Sequence, residues 1–206
     1  MNFMGKIAVF ALAVVLAWSS LGGSAERHFD IVPFTGLRAG GTFEDGTTDE
    51  TLTIDSSAVY GLSLDWDYDD TGQLQLLWSR QASEFKTPSA TGQKMYLNTD
   101  YYHFGGTYSW SQEENFKPYV AASLGVTNFE PIDSDYSNEL RFSMALGLGL
   151  KYFFTPRLGL LAEGRGYGTL MGGSGSIFCS SGACQIRMQG DLFAQIELRT
   201  GIVFRF

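Results

Sequence analysis

Three sets of residues in this sequence could do chemistry. Glu163 and Arg165 stand two apart in "AEGRG", and Glu197 and Arg199 stand two apart in "IELRT". In an extended chain, residues two apart share a face, so each segment presents a carboxylate beside a guanidinium. That pairing suits an ion-pair network or, in a narrow pore, a selectivity or gating element. The second set is Cys179 and Cys184 in "FCSSGACQ". Two thiolates without a nearby histidine or acid are too few for zinc, and an even pair in an exported chain reads as a disulfide across a short Ser/Gly-rich loop. The third set is the histidines. His28 stands beside the expected mature N-terminus, a poor place for a catalytic base. His103, in "DYYHFGG", points inward on its strand; Ser109 is well along the same strand, and nothing local completes a Ser–His–acid set. His103 therefore reads as a packed or hydrogen-bonded residue, and no catalytic, metal-binding or cofactor-binding residue is assigned.

The elements that must position these residues have a period of two. In "LFAQIELRTGIVFRF", Leu192, Ala194, Ile196, Leu198, Ile202, Phe204 and Phe206 share one face, interrupted only by Thr200, while Gln195, Glu197, Arg199 and Arg205 share the other. The pattern recurs in eight segments, at about 29–43, 51–68, 72–84, 94–110, 117–129, 139–154, 157–171 and 189–206. Leu52, Ile54, Ala58, Tyr60, Leu62, Leu64 and Trp66 oppose Ser57, Ser63 and Asp65; Leu140, Phe142, Met144, Leu146 and Leu148 oppose Arg141, Ser143, Gly147, Gly149 and Lys151. These runs exceed the usual globular strand, and a tilted strand needs only about 9–11 residues to cross a bilayer. Their connections alternate between tight turns ("DDTG", "TP") and longer loops, with "GTTDE" short for an outer loop. The glycines of "GLG" at 147–149 lie within a strand with no helix following, so they are lumen space and not a nucleotide loop.

Composition narrows the setting. The 206 residues carry 25 Gly, 15% aromatics, 17% charged residues and a formal charge of −8, with no basic cluster of the kind that nucleic acid requires. Lys6, the apolar "IAVFALAVVLAW" and the small residues Gly23 and Ala25 form an export signal, with cleavage expected after Ala25; an uncleaved anchor is the alternative. The mature domain, 26–206, would then hold 13 basic against 22 acidic residues. Outside the signal no run of 18 apolar residues occurs, so a helical anchor is not expected. Backbone polar groups in hydrocarbon must be paired internally, and a sheet achieves this by closing on itself. The expected fold is an all-β, eight-stranded antiparallel up-and-down transmembrane β-barrel, oily rows outward, polar rows toward a small lumen. Trp66, Tyr68, Trp110, Tyr152 and Phe206 would form an aromatic girdle at the short-turn end. A soluble sandwich or lipocalin-like barrel, oily side inward, is the alternative.

With its signal, alternating strands, the glycine-rich "PFTGLRAGGTF" and the terminal "GIVFRF", the mature chain resembles the small OmpA/OmpX-type outer-membrane barrels of Gram-negative bacteria. The resemblance implies residence in the outer membrane among lipid and lipopolysaccharide, as a monomer, and makes Ile202, Phe204 and Phe206 the signal read by the barrel assembly machinery. Within that frame Arg38, Arg141, Glu163, Arg165, Glu197 and Arg199 are expected to form a salt-bridged cluster plugging the lumen. The expected function is non-enzymatic, structural or surface-interacting, with the loops open to an extracellular partner. A narrow conduit for small solutes and a lipid-modifying enzyme are the alternatives.

Overall fold

The computed structural model describes residues 27–40, 42–44, 51–53, 56–86, 94–111, 113, 115–131, 138–171, 176–180, 183–187 and 192–206. The expected signal and its cleavage point lie outside them. The strands are β1 (Phe29–Gly40), β2 (Thr42–Glu44), β3 (Thr51–Thr53), β4 (Ser57–Asp67), β5 (Gly72–Lys86), β6 (Lys94–Ser109), β7 (Phe116–Pro131), β8 (Glu139–Thr155), β9 (Leu158–Leu170), β10 (Ser176–Ser180), β11 (Ala183–Arg187) and β12 (Leu192–Arg205).

Eight of these close into an antiparallel barrel in the order β1-β12-β9-β8-β7-β6-β5-β4. The seam is a ladder interrupted only at Val32 and Pro33, where the proline has no N–H to donate. β1 pairs with β12 from Asp30↔Arg205 to Gly40↔Gln195, and Phe29 and Phe206 exchange backbone hydrogen bonds of 3.0 and 2.9 Å. Two short hairpins, β2–β3 and β10–β11, lie outside the barrel's hydrogen-bonded ring.

Two sequence boundaries are corrected by the first hairpin. The first segment does not run on to residue 43, and the second does not begin at 51. Gly40 adopts φ +94°, a left-handed conformation that ends β1. Residues 42–44 and 51–53 then pair with each other, and the barrel resumes at Ser57. Leu52 accordingly belongs to the hairpin and not to the barrel row of Ala58. The connection beyond β1 is thus longer than "GTTDE", as an outer loop should be.

The alternation of faces is nearly unbroken, and its sense is inverted relative to a soluble protein. Leu146, Leu148, Ile196 and Leu198 are 71%, 62%, 65% and 65% exposed, while Arg38, Glu197, Glu163, Arg165 and Arg199 are buried. The soluble alternative, with leucines gathered inside, is overturned. An apolar exterior is stable only against an apolar solvent, and a closed barrel is one of two structures able to satisfy its backbone there. Even the exception in the β12 row conforms: the outward Thr200 hydroxyl donates to the Leu161 carbonyl at 3.0 Å, as outward Thr35 does to Val59.

Candidate functional site: the ionic lumen

The centre of the barrel is an ion network. Register brings its members together: Glu197 lies opposite Arg165, and Arg199 opposite Glu163, across β12 and β9, while Arg38 lies opposite Glu197 across the seam. Glu163 bridges two cations. It accepts from Arg199 Nη2 at 2.7 Å and from Arg165 Nε, and the Tyr119 hydroxyl reaches it across the lumen at 2.5 Å. Glu197 accepts from Arg38 Nη2 at 2.5 Å and Nε at 3.0 Å, from Ser79 at 3.0 Å and more distantly from Tyr167 at 3.4 Å. Arg38 also donates to the Ser79 hydroxyl, and Arg165 Nη2 donates to Gln75 at 2.6 Å. Strands β1, β5, β7, β9 and β12 are thereby tied through the axis.

The sixth residue named from the sequence does not join this cluster. Arg141 lies at the long-loop end of β8, six positions from Gly147, the residue in register with Arg165, which is about 20 Å along the strand. It pairs with Glu139 at 2.9 Å and is partly exposed. Residues of one row share a face over the whole strand, so parity alone cannot place them at one height.

A second tier, nearer the short turns, was not singled out from the sequence. Lys151 Nζ contacts Asp65 at 2.8 Å, Asp30 at 3.0 Å and Gln73 at 2.7 Å. Arg205 donates twice to Asp30, at 2.9 and 3.1 Å. Gln75 donates to Asp65 at 3.0 Å and so links the two tiers. Asp65, Lys151 and Arg205 could each be assigned to polar rows by alternation, but their convergence depends on how the closed sheet is staggered. Below them a recess of about 30 Å³ between Asp67, Lys117 and Lys151 has room for one water.

Above the central tier the lumen is filled by rings. Tyr101 and Tyr167 stack at 4.1 Å, with the Arg38 guanidinium 4.6 Å from the Tyr101 ring centre. Buried His103 is held on both sides, Nδ1 3.0 Å from Ser123 and Nε2 2.9 Å from Ser143. A neutral imidazole has one donor and one acceptor nitrogen, so the two serines saturate it. Ser109 instead donates to the Pro118 carbonyl at 2.9 Å.

No family model and no curated protein matches this chain. Solved structures do. The Neisserial surface protein NspA covers 88% of this chain, and is itself covered in full, at 15% identity and a TM-score of 0.59. OprG of Pseudomonas aeruginosa gives 13% identity and a TM-score of 0.57 over 90% of this chain and 98% of its own. The outer membrane protein AlkL gives 14% identity and a TM-score of 0.53 over 91% of this chain and 93% of its own. This chain has the fold of the small eight-stranded outer-membrane barrels.

The exterior of the barrel is divided as a bilayer setting would require. Tyr68, Trp110, Tyr152 and Phe206, with Tyr108 and Phe154, are exposed at the short-turn end, and Trp66 is partly exposed there, which is the headgroup level for an aromatic girdle. Toward the long-loop end of the same wall an outward ion pair appears that sequence reading did not single out: Arg80 grips Asp100 through both carboxylate oxygens at 2.7 and 2.6 Å and approaches Glu130 at 3.3 Å. Charges of this kind sit at the edge of the hydrocarbon, not in it. Ile202, Phe204 and Phe206 all point outward along β12. Cys179 and Cys184 face each other in the β10–β11 register; their side chains lie outside the described residues.

Proposed function

We propose that the protein is a non-enzymatic barrel of the outer membrane, closed to solutes, whose role is structural or surface-interacting. The observation that carries this reading is the lumen itself. Ionic tiers, stacked tyrosines and a saturated histidine occupy the axis, and an eight-stranded barrel is wide enough only for its own side chains to fill. The test is a planar-bilayer recording with purified protein. Silence, apart from rare unselective events, is the expected result, and steady ion-selective conductance makes the protein a conduit instead.

Surface interaction would fall to the hairpins beyond the barrel, above all β10–β11. Opposed positions in an antiparallel ladder lie about 4.5–5.5 Å apart at Cα, within the range a disulfide spans, so Cys179 and Cys184 are assigned as a disulfide that staples this hairpin. Reduction should add two hydrogens to the intact mass and free two alkylatable thiols. Excision of residues 178–185 should leave folding intact and weaken any cell binding. The similar fold of the Neisserial surface protein NspA is consistent with such a role. The barrel wall would meet lipid and lipopolysaccharide, and Ile202, Phe204 and Phe206 would be read by the assembly machinery before insertion. The protein would act as a monomer. Lipid A hydrolase activity abolished by His103→Ala would replace this reading with an enzymatic one.

A further inference from the structure

The ionic tiers differ in one respect, their charge balance. In the lower tier Lys151 and Arg205 meet Asp30 and Asp65. At the mouth Lys117 and Lys151 line a recess with Asp67, Asp69 and Asp70, and at the outer rim Arg141 meets Glu139. None of these carries a surplus of positive charge. The central tier does: among the described residues, Arg38, Arg165 and Arg199 are paired only with Glu163 and Glu197. All five are buried. The surplus is not a matter of composition, because the chain as a whole is acidic, at −8.

A guanidinium does not shed its proton in a protein, so this surplus cannot vanish by titration. An uncompensated charge inside a lipid-enclosed wall is costly. Geometry shows the same shortfall. Arg38 Nη1, Arg165 Nη1, and both Nε and Nη1 of Arg199 are buried without a hydrogen-bond partner among the described residues. The nearby hydroxyls of Tyr119 and Tyr167 are already committed to the two glutamates. Water could accept from the free N–H groups but would leave the charge. A divalent anion would overshoot it, and the packed lumen leaves no space for a large one.

We propose that the central tier is a binding site for one small monovalent anion of the halide class, held by the free guanidinium N–H groups of Arg38, Arg165 and Arg199. The anion completes the plug as a third negative charge, bound during folding and retained. This inference stands on the charge count and the unpartnered donors, and does not depend on what the surface hairpins recognise.

The test is refolding from urea into detergent in sodium chloride or bromide, against sodium gluconate at equal ionic strength, followed by the heat-induced change in gel mobility. At about tenfold excess over its dissociation constant, a halide should raise the wild-type midpoint by roughly 3–6 °C. Arg165→Gln leaves two arginines against two glutamates and should abolish the difference. Glu163→Gln leaves three against one and should enlarge it. Crystals of the wild type grown in bromide should show an anomalous peak within hydrogen-bonding distance of these guanidinium groups, a measurement that stands even if a variant fails to fold. Equal midpoints for wild type in halide and gluconate, a halide shift that survives in Arg165→Gln, or the absence of a bromide peak in the lumen would each overturn the proposal.

Discussion

A single glycine shows how tightly the lumen is specified. Gly147 lies on the inward row of β8, and a Cβ there would stand 2.8 Å from Glu163 Oε1 and 3.3 Å from Arg165 Nε. The glycine is the room in which the central ion pair fits, a role that its place in a strand opposite charged neighbours already suggested. Gly147→Ala should displace that pair and cost about 1–3 kcal/mol, in the range for overpacked sites, measured by urea unfolding in lipid vesicles. Gly166→Ala is the control. It lies on the outward row of β9, where a Cβ meets nothing nearer than the Leu146 carbonyl at 4.0 Å, and should change stability by no more than about 0.5 kcal/mol. Equal costs would mean that the lumen is looser than the contacts described. Residue identity and parity made Glu163, Arg165, Glu197, Arg199 and Arg38 readable as one group. Parity could not tell that Arg141 sits far along its strand, nor that Ser79 and Tyr119 would reach the same carboxylates, and Gln75 the Arg165 guanidinium, from strands that are not their neighbours.

At the scale of elements, the strands were legible because each alternates over ten or more residues, and the short turns because their residues have few other uses. The β4–β5 turn is an example. Asp69 accepts from the backbone N–H of Thr71 at 2.8 Å and of Gly72 at 2.6 Å, and from the Thr71 hydroxyl at 3.0 Å. These bonds, the Thr71 amide first, hold its carboxyl below the ordinary value of 3.8. A carboxyl whose folded pKa is depressed contributes stability that is fully present above the unfolded value and is lost as pH falls through the folded one. Hydrogen exchange at the Thr71 and Gly72 amides should therefore lose protection below the ordinary carboxylate range. Asp69→Asn keeps an uncharged acceptor and should show no such loss relative to wild type. Parallel profiles for the two proteins would place the stability of the turn elsewhere. Less legible was the excursion after β1. The sequence there alternates well enough to read as barrel on both sides, and it is Gly40 in its left-handed conformation, a property of the backbone and not of hydropathy, that separates β1 from the β2–β3 hairpin. Contacts across the lumen were hidden for a related reason. Lys151 meets Asp30 and Arg38 meets Ser79, yet neither pair lies on neighbouring strands, so their approach is set by closure and stagger of the whole sheet.

The whole molecule is governed by which way its rows face, and this has a direct energetic consequence. Leu148 lies near the middle of β8, in register with Val120 and Gly164, and is 62% exposed. Phe154 lies on the same outward row at the short-turn end, among the girdle aromatics. In water, exchanging an exposed leucine for arginine would change little. In hydrocarbon it should not be neutral, because the guanidinium must leave its hydration shell or deform the bilayer to keep it. Leu148→Arg should cost about 2–4 kcal/mol at the midplane, and Phe154→Arg only about 0–1 kcal/mol from burying charge near the interface. The outward pair of Arg80 and Asp100 obeys the same rule, since it lies toward the long-loop end and carries its own counter-charge. Urea unfolding of the two variants in vesicles gives the comparison. A depth-dependent cost identifies the solvent of the outer face as lipid, whereas two small and equal costs would mean that these leucines face water and that the ionic lumen is the polar core of a different kind of barrel.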